Sequence, residues 1–166
     1  TSTSASAIDF QNATTVNLGN LSATAGTIRL GTGDIVTVTQ NSGTLLTAGS
    51  LTGNATGRVN LNLNNLIGTI GDFDSAELAI NDTDGGLVLA GNINSTSTAV
   101  INSTGGAINQ TDGKIVVAGT TSIDAGTGDL SLNQTNNNFG GAISLNSTGG
   151  AVSITDVDAA ILGTST

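Results

Sequence analysis

Aliphatic and polar residues alternate along this chain in short bursts. The clearest are Val59-Asn60-Leu61-Asn62-Leu63-Asn64, Ile143-Ser144-Leu145 and Val152-Ser153-Ile154, with Ile28-Arg29-Leu30, Leu78-Ala79-Ile80 and Leu130-Ser131-Leu132 following the same rule. Successive side chains of a strand face opposite sides, so each burst predicts a β-strand with its aliphatics turned inward. Ile115-Val116-Val117 and Leu87-Val88-Leu89 add further strands, and no stretch has a helical period with caps. Strand centres fall near residues 9, 17, 29, 36, 45, 52, 61, 68, 79, 88, 93, 100, 108, 116, 123, 131, 144, 153 and 161. Their spacing of roughly 7–11 residues suits short strands separated by turns. The residues expected in the interior are Ile28, Leu30, Leu61, Leu63, Leu78, Ile80, Leu130, Leu132, Ile143, Leu145, Val152 and Ile154, with Asn60, Asn62, Ser144 and Ser153 outside.

The bursts are joined by phrases that return. Asn102-Ser103-Thr104-Gly105-Gly106-Ala107-Ile108 comes back as Asn146-Ser147-Thr148-Gly149-Gly150-Ala151-Val152, and Phe139-Gly140-Gly141-Ala142-Ile143 is a third variant. Gly31-Thr32-Gly33-Asp34 returns as Gly126-Thr127-Gly128-Asp129. Self-similarity of this kind marks a solenoid. Gly105 and Gly149 lie 44 residues apart, and Gly85 precedes Gly105 by 20, which fits coils of about 20–23 residues. Asp84-Gly85 and Asp112-Gly113 are the two turn dipeptides of the Asn-Gly or Asp-Gly kind, few enough that consecutive strands are expected to run on around a coil rather than fold back. The expectation is an all-β chain, residues 1–166 forming a single parallel β-solenoid of about seven coils, about 35 Å long at the spacing of parallel strands. Asn136-Asn137-Asn138 reads as a polar loop rather than a stacked corner.

Composition sharpens this. The chain has no Pro beside 24 Gly, and no Cys, Met, Trp, Tyr or His. Pro cannot donate to a ladder, and a stacked coil has few edges to tolerate it. With only three Phe, the core must be a narrow stack of Ile, Leu, Val and Ala. The formal charge is −9, against three cations, Arg29, Arg58 and Lys114, too few for a nucleic-acid surface. No apolar run approaches the ~20 residues that span a bilayer. Absent cysteine removes disulfides and suits a chain threaded unfolded through a secretion pore.

The last third carries a resemblance. Asp124-Ala125-Gly126-Thr127-Gly128-Asp129-Leu130-Ser131-Leu132, Asn138-Phe139-Gly140-Gly141-Ala142-Ile143-Ser144-Leu145, Val152-Ser153-Ile154-Thr155-Asp156 and Ala160-Ile161-Leu162-Gly163-Thr164 resemble successive coils of the filamentous-haemagglutinin-like bacterial exoproteins. These are large surface adhesins of the two-partner-secretion and autotransporter type. The resemblance implies a right-handed parallel β-helix, export through an outer-membrane pore, an extracellular or cell-surface location and a part in adhesion. The secretion domain that such proteins carry at their N-terminus has no counterpart here, so this would be an interior piece of a longer repetitive shaft.

Candidate chemistry is sparse. Nucleophilic catalysis by Ser or Thr needs a base, and with no His only Lys114 or a carboxylate could serve. Asp72 with Asp74, Asp82 with Asp84, and Asp156 with Asp158 are carboxylate pairs of the kind that β-helical enzymes use on polysaccharides, but no Trp or Tyr is present to hold a sugar ring. Asn81-Asp82-Thr83-Asp84-Gly85 resembles part of a calcium loop without its bidentate Glu, and Gly31–Asp34 and Gly126–Asp129 echo a calcium-roll phrase that should recur in tandem. Turn carboxylates capping backbone N–H groups explain these as well. Calcium is therefore not expected to be needed for folding, Asp82 and Asp84 being its first candidate ligands. Thr37-Val38-Thr39 has the spacing of an ice-ordering Thr row but is not repeated. Asn-x-Ser/Thr sequons stand at Asn12, Asn20, Asn54, Asn81, Asn94, Asn102, Asn109, Asn133 and Asn146, a mild excess in a chain rich in Ser and Thr.

The sequence thus points to an extracellular structural and adhesive shaft with no catalytic residue, metal or cofactor. A carbohydrate-binding or carbohydrate-cleaving β-helix is the alternative. Its partners would be neighbouring coils or copies joined end to end, surface glycans and the secretion pore, and no nucleic acid. Ser2–Ser6 and Gly163–Thr166 look too small and polar to cap the ends.

Overall fold

The computed structural model describes residues 8–104 and 106–166; Ser2–Ser6 and Gly105 lie outside the described residues. Among the described residues, sixteen strands join into one continuous sheet, and every pairing is parallel. The chain winds as a β-solenoid. One column rises through Ile8, Ile28, Leu51, Ile70, Leu89 and Gln110, and continues through Leu132 to Ile154. That is about seven turns.

The step from coil to coil is uneven in the first half, settles at 22 residues from Ile93 to Val152, and shortens to 19 at the last rung, where Ala142 pairs with Ile161. Leu21 pairs with Leu46, 25 residues on, and Ala48 with Ile67, 19 on. Ile93 pairs with Ile115, 22 on, Thr121 with Ile143 and Leu130 with Val152, again 22. The 44-residue interval between the Gly-Gly-Ala phrases is two such coils.

Alternation places one face of each strand inside. Ile28, Leu30, Leu61, Leu78, Ile80, Leu130, Leu132, Ile143 and Leu145 are all buried. Burying a Leu or Ile contributes about 1.5–3 kcal/mol, and these rows form one core along the axis. Asn60 and Ser144 are part-shielded by their neighbours, while Asn62 and Ser153 are exposed. Leu63 and Ile154 are only half-buried and Val152 is 45% exposed. Val152 and Ile154 pair on one side only, with Leu130 and Leu132, so the alternation is right but the covering rung is missing. Two expected strand centres are also corrected. Val36 and Leu45 stand between strands, exposed, because the coil turns there.

Corners explain the glycine count. A Cβ on Gly128 would lie 2.3 Å from the Ala107 nitrogen, and one on Gly150 would lie 2.4 Å from the Gly128 carbonyl oxygen. Successive corners therefore touch backbone to backbone, and any side chain would force the coils apart. Gly128→Ala is expected to cost about 1–3 kcal/mol as an overpacking change. Gly19→Ala, where a Cβ meets nothing within 4 Å, should leave the thermal midpoint unchanged. Equal midpoints for the two variants would contradict the corner contact.

Candidate functional site

Most of the acids face backbone. Asp129 Oδ1 accepts the Ala151 N–H at 2.7 Å, one coil on, and Asp156 Oδ1 accepts the Phe139 N–H at 3.2 Å, one coil back. Asp34 accepts the N–H groups of Asn12, one coil back, and of Thr32. The Thr32 N–H holds its carboxyl below the usual value against a smaller opposing effect of desolvation. The two Gly-Thr-Gly-Asp phrases therefore share a task, capping an adjacent coil, although Asp34 reaches backward and Asp129 forward.

The three carboxylate pairs separate differently. Asp82 is fully buried while Asp84 is exposed. Asp82 Oδ1 accepts the Ile67 N–H at 2.8 Å and the Asp84 N–H at 3.2 Å, and Oδ2 accepts the Ser103 hydroxyl at 3.4 Å. A carboxylate surrounded by donors in this way is a corner cap. Asp156 is part-buried and Asp158 exposed. Asp72 and Asp74 do share a surface, because they flank the inward Phe73 on one strand. With Arg29, Thr32, Thr52 and Asn54 they line an open groove of about 340 Å³.

Burial raises the Asp82 carboxyl above its usual value, the Ile67 and Asp84 N–H groups pulling the other way and the Asp84 charge adding to the rise. The folded chain thus holds a proton that the unfolded chain has released over the interval above the ordinary value of 3.8. Stability from this group is present in acid and lost as pH rises through the folded pKa. Asp82→Asn is expected to be at least as stable as the native chain at neutral pH, the difference closing as the solution is acidified. Melting both proteins across that range checks this, and a parallel pair of curves would contradict it.

The other candidates are dispersed. Lys114 is exposed and pairs with no carboxylate among the described residues. Arg29 pairs with Asp9 at 3.4 Å and Arg58 with Glu77 at 3.2 Å. Thr37 stacks on Thr15, but Val38 pairs with Val59, so the next rung of that row is Arg58. Of the sequon residues, Asn81 and Asn102 share one ladder with Asp124 and Asn146. Among the described residues no three of His, Cys, Asp and Glu gather as a metal site.

Three amide side chains are buried, Asn65, Gln110 and Asn137, and only Asn137 lies in a stretch to which the sequence draws attention. Asn65 donates to the Leu61, Leu63 and Asn81 carbonyls and accepts from Gln40 and the Leu46 N–H. Asn137 exchanges two hydrogen bonds of 2.8 Å with Gln110, accepts the Ile115 N–H and donates to the Leu132 carbonyl. The Asn136–Asn138 stretch is thus corrected from a polar loop to a corner with a buried amide, since Asn137 is fully enclosed. The signal was a polar residue in the inward phase, Asn65 continuing the series Val59, Leu61, Leu63 and preceding Ile67.

Residues 75–146 match a family described as "Repeats of unknown function (DUF5649)". The matched stretch takes in most of the regular 22-residue coils. No curated protein and no solved structure matches the chain.

Proposed function

We propose that this segment is an extracellular structural and adhesive shaft, exported through an outer-membrane pore and contributing length and rigidity to a bacterial surface or secreted fibre. The observation that carries the reading is where the polar chemistry goes. The buried acid and amides, and the turn acids described above, serve to cap neighbouring coils. Two of the three cations are spent in surface ion pairs, which argues against a polyanionic partner such as nucleic acid. A repeat of this kind adds coils at little cost to its neighbours, because each contacts only the adjacent ones. The absence of cysteine and the resemblance to exported adhesins support the location. Neighbouring coils, or copies joined end to end, are the partners that fit it best. Such joining should strengthen as salt screens the −9 charge.

Antibodies raised against residues 8–166 provide the test. They should label intact, unpermeabilised cells that make the natural polypeptide, and should block cell–cell or cell–surface attachment. Labelling only after permeabilisation would overturn the reading.

A further inference from the structure

Asp112-Gly113 is a turn phrase that coil capping does not account for. It joins the strands Ile108–Gln110 and Ile115–Val117, with Asp112 exposed and Gly113 half-buried. Gly113 is fixed there by two constraints. Its φ of +68° lies in the left-handed region, and a Cβ on it would stand 2.2 Å from the Gly91 carbonyl oxygen, one coil back. Any other residue would force the two coils apart. Packing therefore sets the one residue with no side chain to shield its own nitrogen directly after an acid. Asp34, Asp82, Asp129 and Asp156 each reach the backbone of another coil. Asp112 does not. Its Oδ1 accepts the N–H of its own neighbour Gly113 at 2.7 Å, and among the described residues neither group has another hydrogen bond.

That contact sets the Gly113 nitrogen beside Asp112 Cγ, the carbon that carries the accepting oxygen. Groups held together in this way react as if at very high concentration, and atoms about 3–3.5 Å apart are already near the geometry of attack. Here the nitrogen and Cγ are the two ends of a five-membered ring. Its closure joins N to Cγ and breaks the bond from Cγ to the hydroxyl of the protonated acid. The amide proton and that hydroxyl leave as water. Solvent reaches the exposed Asp112 and reopens the ring by adding water at either carbonyl. Cleavage of the new N–Cγ bond restores aspartate. Cleavage of the original bond, from N to the main-chain carbonyl carbon of Asp112, leaves the chain running through Cβ and Cγ. The product is an isoaspartyl linkage, one atom longer in the backbone, and water is the only reagent.

We propose that Asp112 is a site of spontaneous isoaspartate formation, which lengthens the main chain at a corner that has no room for it. The site goes beyond the shaft reading and does not depend on it. The added atom falls where Gly113 lies against the Gly91 carbonyl and the Asn92 nitrogen, so conversion loosens this coil from the one before. Asp84-Gly85 has the same two residues without the contact. The Asp84 N–H is held by Asp82, and no hydrogen bond joins the Asp84 carboxyl to the Gly85 N–H among the described residues.

Ageing the folded protein at neutral pH and body temperature, then labelling it with protein isoaspartyl methyltransferase and mapping the labelled peptides, tests this. Isoaspartate should accumulate at Asp112 at least about ten-fold faster than at Asp84, a small part of what such positioning can give. In the chain unfolded by urea both phrases are equally free, and the two rates should come together. Asp112→Glu, whose longer side chain cannot close the same ring, should remove most of the label from the folded protein, and Asp84→Glu should leave it unchanged. Circular dichroism shows whether each variant is folded, and the ratio of the two sites in the native chain decides the matter if one is not. Aged protein enriched in the linkage should also melt below fresh protein. No isoaspartate at Asp112, a rate at Asp84 equal to or above it in the folded chain, or an unchanged melt of the converted protein would overturn the proposal.

Discussion

Phe73→Ala should lower the stability of this chain by about 3–5 kcal/mol, the range for emptying a buried aromatic site. In a protein of this length that corresponds to a fall in thermal midpoint of about 10 °C. Phe73 is fully buried, and its ring occupies space that Gly53 leaves open on the coil before. A Cβ on Gly53 would stand 2.6 Å from the ring Cζ. The column runs Leu30, Gly53, Phe73, Ile93, so the one small residue lies next to the largest and leaves it room. Gly53→Ala should therefore be destabilising by itself and much less so in a Phe73→Leu background, where the clash is relieved. Thermal or denaturant unfolding of the four proteins measures the coupling directly. Strict additivity would mean that the two residues do not share that space.

Asn137→Asp should be as damaging, at about 3 kcal/mol or more, because it buries a charge and reverses two hydrogen bonds. The Nδ2 group that donates to the Gln110 and Leu132 carbonyls becomes an acceptor facing acceptors. Gln110 cannot compensate by turning its amide, because its Nε2 already donates to the other oxygen, Oδ1, and the Leu132 backbone carbonyl cannot turn at all. Asn136→Asp, one residue away and exposed, is the control and should shift the midpoint little. Equal effects at the two positions would show that the buried amide does not hold the corner.

Much of this architecture is legible in the chain. Alternation identifies the inward rows because a strand's side chains leave no other choice of face, and the recurring Gly-Gly-Ala phrases give the coil length because corners can meet only at glycine. The inward amides are less legible. Asn65 and Asn137 stand in inward phase, but their partners Gln40 and Gln110 are 25 and 27 residues away. Only the register of neighbouring coils brings them together. The groove beside Asp72 and Asp74 is hidden for the same reason. It lies where the register slips between coils, at Gly31–Asp34 and at Gly71-Asp72, and neither phrase announces by itself which residue it will face. Val152, with the right alternation and the wrong burial, shows the remaining gap, since a pattern along one strand does not say whether another strand lies over it.

The regular coils are interchangeable lengths of one stack. Removing residues 121–142 takes out one 22-residue coil and joins Thr120 to Ile143, the residue already paired with Thr121. Ile143 then stacks on Ala99 and Leu145 on Ile101, the partners of Thr121 and Ile123. Removing residues 121–131 takes out half a coil and puts Gln134 where Ile123 stacks on Ile101. Thermal unfolding followed by circular dichroism should show the first deletion retaining its β spectrum and a cooperative transition only modestly lower than that of the intact chain, and the second losing both. If the whole-coil deletion unfolds as completely as the half-coil deletion, the stack is not built from interchangeable coils and the account of this chain as a shaft fails with it.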